Sequence, residues 1–188
     1  YEEAIENHQK DYINPSNIIL MVNPSAKREQ SPDSNFSSFH HSNINDRHLR
    51  FLTMKTSTFW RNLYGSYVTD LFSDVVESVM DNLISAVKDD NKKDYRKQSY
   101  KKLIEQLEIL SQDSKEEKLN IYVCGALSKS KRKDFIFFIE ELIEEISENS
   151  DLNIELSFYA VYHPGYQNLK KLIQGGCEKI VKHSMKVE

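Results

Sequence analysis

Cysteine and glycine are scarce in this sequence, and long apolar runs are missing altogether. The two cysteines, Cys124 and Cys177, are too few and too far apart for a metal knuckle. Cys124 ends an apolar stretch and reads as a small buried hydrophobe; neither thiol reads as catalytic. The five glycines form no phosphate loop. Gly125-Ala126-Leu127-Ser128-Lys129-Ser130-Lys131 lacks both the spaced glycines of a dinucleotide fingerprint and the Gly-Lys-Ser/Thr ending of a Walker loop, which disfavours nucleotide hydrolysis. No apolar run approaches the roughly 20 residues that span a bilayer, so no membrane partner is expected. The start, Tyr1-Glu2-Glu3-Ala4, has neither the basic nor the apolar region of a secretory signal, and the expectation is an intracellular, cytoplasmic protein. Charge of one sign is also wanting: 25 Lys and Arg against 29 Asp and Glu leave a net charge of -4. That balance argues against non-specific nucleic-acid binding by the whole surface and leaves the question to local patches.

What is present suits one well-buried core. At 188 residues and 39% hydrophobic content, the chain reads as a single domain over residues 1–188. Ile18-Ile19-Leu20-Met21-Val22 is a continuous apolar run ended by Asn-Pro, the pattern of a strand buried on both faces of a parallel sheet. Residues 26–54 are polar, rich in Ser, Asn and His, and read as a long functional loop with one helical turn around Asp46–Phe51. Phe59-Trp60 and Leu63-Tyr64 have helical spacing, and Tyr67–Phe72 reads as a second strand after Gly65. Helices follow over Asp74–Lys88 and Ser99–Ser111, the latter with Leu103, Ile104, Leu107 and Leu110 on one side. Leu119–Cys124 forms a third strand and Asp134–Ser147 a helix. Leu152–Tyr162 forms a fourth strand, and Gln167-Asn168 opens a last helix that reaches Ile173 before Gly175-Gly176. Alternating strands and helices imply a three-layer α/β/α fold with a mainly parallel, four-stranded central sheet and no internal repeat.

In open parallel sheets, ligands bind beyond the carboxyl ends of the strands, where the crossover loops gather. Four such loops should converge: Asn23–Ser25, Asp70–Asp74, Gly125–Lys131 and His163–Asn168. Each carries side chains able to donate or accept hydrogen bonds, as a polar ligand or a flipped base requires, and each is equally an ordinary turn cap. The run Lys129-Ser130-Lys131-Arg132-Lys133 reads either as a phosphate contact or as a solvated helix start. Cations are unfavourable at a helix N-terminus, so their presence there calls for a compensating charge. Lys27-Arg28 and Lys170-Lys171 would widen the same rim. His40, His41, His48 and Asp46 match no common zinc spacing and read as solvated loop residues; no metal or cofactor is expected.

In this order the motifs resemble the uracil-DNA glycosylase superfamily, most closely its mismatch-specific (thymine/mug-type) and single-strand-selective branches. Met21-Val22-Asn23-Pro24-Ser25 resembles the family's Gly-Ile-Asn-Pro-Gly motif, and Phe59-Trp60-Arg61-Asn62-Leu63 the Phe-Trp helix after it. Tyr67-Val68-Thr69-Asp70-Leu71 is similar to the second strand, and Val123-Cys124-Gly125 to the third strand and its glycine. His163-Pro164-Gly165-Tyr166-Gln167-Asn168 resembles the His-Pro-Ser motif with its wedge loop. The correspondence covers about residues 18–175, and it departs from the family at Met21, Ser25 and Gly165, which bear on the pocket floor and hence on the base admitted.

The resemblance implies a monofunctional DNA glycosylase that hydrolyses the N-glycosidic bond of a flipped base and leaves an abasic site, with DNA as partner and no obligatory protein partner. It implies Asn23 as the residue that orients the attacking water and His163 as the hydrogen-bond donor to the departing base. Asp70 falls where the mismatch branch reads the base, and a carboxylate suits an exocyclic amino group, which points to a cytosine-type base. Phe36 or Phe39 would stack on that base, Tyr166 or Gln167 would fill the gap in the duplex, and Ser25 would line the floor. Lys27, Arg28, Lys129, Lys131, Arg132, Gln167 and Asn168 would contact DNA. A roomy pocket extends the expectation to hydroxymethyl- or glucosyl-type cytosine in phage DNA, as in antiphage members of the family. Two other readings stand beside it: a non-catalytic module that binds nucleic acid or nucleotide with the same fold, and a small-molecule nucleoside hydrolase.

Overall fold

The computed structural model describes residues 14–22, 49, 51–53, 57–75, 79–113, 118–150, 152, 154–164 and 168–180. Its centre is a five-stranded mixed sheet in the order β2-β1-β3-β4-β5. The strands are β1 (Asn14–Met21), β2 (Ser66–Asp70), β3 (Lys118–Cys124), β4 (Glu155–Val161) and β5 (Cys177–Lys179). β1 to β4 run parallel, and β5 pairs antiparallel with β4. The expected parallel four-stranded sheet is therefore present, with one further strand at its edge. β5 holds only Cys177-Glu178-Lys179, all exposed, so it offers no apolar alternation from which a strand is read.

Helices cover both faces because the strand residues alternate between two cores. Ile18, Leu20, Ile121, Val123, Phe158 and Ala160 pack on one side, with Leu83, Leu103, Leu107, Phe138 and Leu142 from the helices. Ile19, Cys124 and Val161 pack on the other, with Leu49, Leu52, Trp60, Leu63 and Leu172. The first face carries α2 (Met80–Lys88), α3 (Lys93–Asp113) and α4 (Arg132–Asn149). The second carries the short helices α1 (Thr58–Arg61) and α5 (Leu169–Gln174), with the helical turn at Leu49 and 51–53. Phe135, Phe138, Ile139, Leu142 and Ile146 make the buried stripe of α4 at helical spacing.

Two helix starts differ from expectation. α2 begins at Met80 rather than Asp74: Val79 is extended, at φ -106° and ψ 113°, and Leu71–Asp74 form turns. α3 begins at Lys93 rather than Ser99, after a 3₁₀ turn over Asp90–Lys92 in which the Asp89 carboxylate accepts from the Asn91 amide at 2.8 Å. The polar residues 93–98 hide this first turn and a half because its inward residue is an arginine. Arg96 is 2% exposed and forms a two-pronged ion pair with Glu141 at 2.7 and 2.8 Å. Its remaining guanidinium nitrogen donates to the carbonyls of Val87 and Asp89 at 2.8 and 2.9 Å, at the end of α2. Tyr100 donates to Glu141 at 3.0 Å. Among the described residues, no helix is long and apolar enough to cross a membrane.

Candidate functional site

The register of the parallel strands sets the site. Met21 pairs with Asp70, Leu20 with Val123, and Cys124 with Val161, so all four strands end at one level. Order reverses at β1, with β2 on one side and β3 on the other, and the crevice beyond such a reversal is where open α/β sheets bind ligands. Backbone bonds seal the edge. Leu71 donates to the carbonyl of Met21 at 2.9 Å and Phe72 to that of Val22 at 2.8 Å, which holds the last described peptide before Asn23. Gly125 and Leu127 both donate to the carbonyl of Val161, at 2.9 and 3.3 Å, folding the β3 loop over the end of β4.

His163 follows β4 by two residues. It is partly accessible, while Pro164 beside it is buried. Burial pushes the imidazole down from 6.5 to about 4, so the ring is neutral at neutral pH and carries one N–H to donate. Gly125 lies against it: at φ +92° a Cβ here would sit 3.9 Å from the His163 Cβ and 3.4 Å from Phe135 Cζ. An L side chain at this φ is strained, so Gly125→Ala is expected to lower unfolding stability by about 1–2 kcal/mol in urea melts. An unchanged midpoint would show that the loop can relax.

The depressed His163 value has a stability consequence. Between pH 6.5 and 4 the unfolded chain binds this proton and the native chain does not, so stability rises with pH across that window. It is complete above 6.5 and falls by up to about 3 kcal/mol as pH drops to 4. Urea melts at pH 7, 5.5 and 4.5 should show this decline in the parent and a shallower one in His163→Gln. Parallel declines in the two would place the proton uptake elsewhere.

Asp70 is buried at the end of β2, level with Met21. In strand spacings it lies one from β1 and three from β4, hence nearer the β1 loop than His163. Asn23, Ser25, Lys27, Arg28, Phe36, Phe39, Tyr166 and Gln167 lie outside the described residues, as do His40, His41, Asp46 and His48. Asn168 caps α5, its side-chain oxygen accepting from the Lys171 amide at 3.2 Å. That is an assigned structural task for a residue expected at DNA.

Two of the four cations of the basic run are paired with carboxylates within the chain. Lys131 pairs with Asp81, and Arg132 pairs with Glu178 at 2.5 Å. Asp134, in the first turn of α4, is bound by Lys88 at 2.7 Å. These carboxylates are the compensation that cations at a helix start require. Lys129 and Lys133 are exposed. Cys124 is wholly buried, and burial pushes its thiol up to about 12, in keeping with a packing role.

One contact had no sequence signal. The Trp60 indole N–H donates to the carbonyl of Leu172 at 2.6 Å across 112 residues, and the ring is 1% exposed. Phe59 packs edge-on to Trp60 and Tyr122 and meets Gly175, where a Cβ would lie 2.6 Å from Phe59 Cδ1. Phe59-Trp60 thus braces α5, the helix that follows the His163 loop. Comparison with protein-family models, curated proteins and solved structures found no match.

Proposed function

We propose that this chain is a DNA glycosylase of the uracil-DNA glycosylase type, hydrolysing the bond between a flipped base and its deoxyribose and leaving an abasic site. The observation that carries the reading is the level ending of β1 and β4 with only β3 between them. The loops bearing Asn23 and His163 then leave one edge about 10 Å apart, two strand spacings, which is room for a base between them. A four-stranded parallel core with helices on both faces supports the same reading.

In this mechanism the C1′–N bond breaks with its electron pair leaving on the base. The sugar becomes oxocarbenium-like, water adds its oxygen at C1′, and the proton it loses passes through solvent to the departed base anion, which leaves as the neutral base. Asn23 holds the water through its side-chain carbonyl; an amide is too weak a base to do more than position. His163, neutral, donates its N–H to the base oxygen as negative charge develops there. Asp70 accepts from an exocyclic amino group, so a cytosine-type base, hydroxymethylated or glucosylated forms included, is the favoured substrate. The proposed site of action is DNA in the cytoplasm.

Duplex and single-stranded DNA carrying uracil, thymine mismatches and modified cytosines, incubated with the protein and then cleaved at abasic sites by alkali, tests the proposal. Release of a base supports it, and release of none from the panel refutes the catalytic claim. The internal pairing of Lys131 and Arg132 favours a second reading, a hydrolase of free nucleosides, because it leaves less unbalanced positive charge for a phosphate backbone. Nucleosides in the same panel decide between the two.

A further inference from the structure

We infer that Trp60 is a positioning residue for His163, acting through the segment that carries it. That segment, residues 162–176, leaves the sheet at the end of β4 and returns in β5, and the pairing of Val161 with Cys177 closes it at its base. Closure at the base leaves its far part to be held by something else, and the held point is α5. The last carbonyls of so short a helix lack the partners that a further helical turn would supply. The carbonyl of Leu172 accepts from Gly175 at 3.1 Å and, from outside the segment, from the Trp60 indole at 2.6 Å. Trp60 also shares one core with Val161 and Leu172, the residues before and after the His163 turn, and Tyr162 packs against the same cluster. Gly175, the C-cap of α5 at φ +69°, sets Phe59 against the same end of the helix. A single α1 dipeptide therefore holds the C-terminal end of α5 and shares a core with the residues where the loop departs, and β5, too short to be legible in the sequence, completes the closure.

The inference takes its functional sense from the glycosylase reading, but it can be tested without substrate. Trp60→Phe keeps a ring in the core but removes the indole N–H together with part of the bicycle's volume. Gly175→Ala instead forces Phe59 away from α5. Leu107→Ala, on the opposite core, supplies a comparably destabilised chain whose lesion lies on the other face of the sheet. Histidine-selective NMR titration of the folded proteins should show the His163 midpoint rising by about one pH unit toward the solvent value in Trp60→Phe or Gly175→Ala, as water gains access to the ring. It should stay in place in Leu107→Ala. An unmoved midpoint in whichever of the first two variants folds, or an equal shift in Leu107→Ala, overturns the inference. If the parent releases a base, the first two variants should also lose kcat more than they raise KM. If the parent releases none, the glycosylase reading fails while the titration still decides the positioning role.

Discussion

In the proposed glycosylase reaction, His163→Ala is expected to slow base release in single-turnover assays by about 10²–10³-fold while leaving DNA affinity within a small factor of the parent. The expectation follows from when the interaction forms. A neutral imidazole adds little to ground-state binding, whereas its N–H strengthens as charge collects on the departing base, so its loss falls on the chemical step. A depressed imidazole also sets the pH behaviour. With the ring neutral down to about pH 4, base release should persist through pH 5–6 rather than fall off near 6.5 as it would for an ordinary histidine. Asn23→Ala should lower release to a comparable degree, by unfixing the water, again with binding retained. A His163→Ala variant that keeps parental turnover would remove this residue from the mechanism. Loss of DNA binding together with turnover would argue for a binding role instead.

The largest effect on stability is expected at Arg96, far from the strand ends. Arg96→Met should lower unfolding free energy by about 3–5 kcal/mol and the melting temperature by roughly 10 °C, because it strands partners that the fold has already desolvated. Glu141 loses both prongs of its ion pair, and the carbonyls of Val87 and Asp89 lose their shared donor. The Glu141 carboxyl, held below its ordinary value mainly by the Arg96 hydrogen bond against the opposing effect of burial, should titrate upward in the variant. Combining Arg96→Met with Glu141→Leu should recover part of the loss, since no unpaired carboxylate then remains, but not all of it, since the two carbonyls stay orphaned. A loss below 1 kcal/mol would mean that water replaces the guanidinium there.

Much of the architecture could be read from the chain, and the failures share a cause. β1, β3 and β4 each contain an apolar stretch, and β2 shows itself after Gly65, because strands buried on both faces need apolar residues at successive positions. The stripe of α4 is equally plain. The first turns of α3 carry no apolar signal because Arg96 is buried by pairing rather than by hydrophobicity, and a pattern of apolar residues is blind to that. β5 is invisible in the sequence because three exposed residues carry no pattern. The sequence predicts α2 from Asp74 because Val75 and Val79 continue an apolar stripe that the backbone, extended at Val79, does not follow.

For the site, local chemistry in the chain specified which residue types stand at the strand ends: a histidine before a proline after β4, an aspartate closing β2, a glycine after β3 and an asparagine-proline pair after β1. Those follow from neighbours along the backbone, where turns and strand ends are decided. Long-range packing settled the rest. The strand order that brings β1 within two spacings of β4, the burial that leaves His163 neutral, the carboxylates that answer Lys131 and Arg132, and the reach of Trp60 to Leu172 all join residues remote in sequence. Such pairings arise only when the chain closes on itself, because a hydrogen bond or an ion pair depends on distance in space and leaves no periodic mark on either partner.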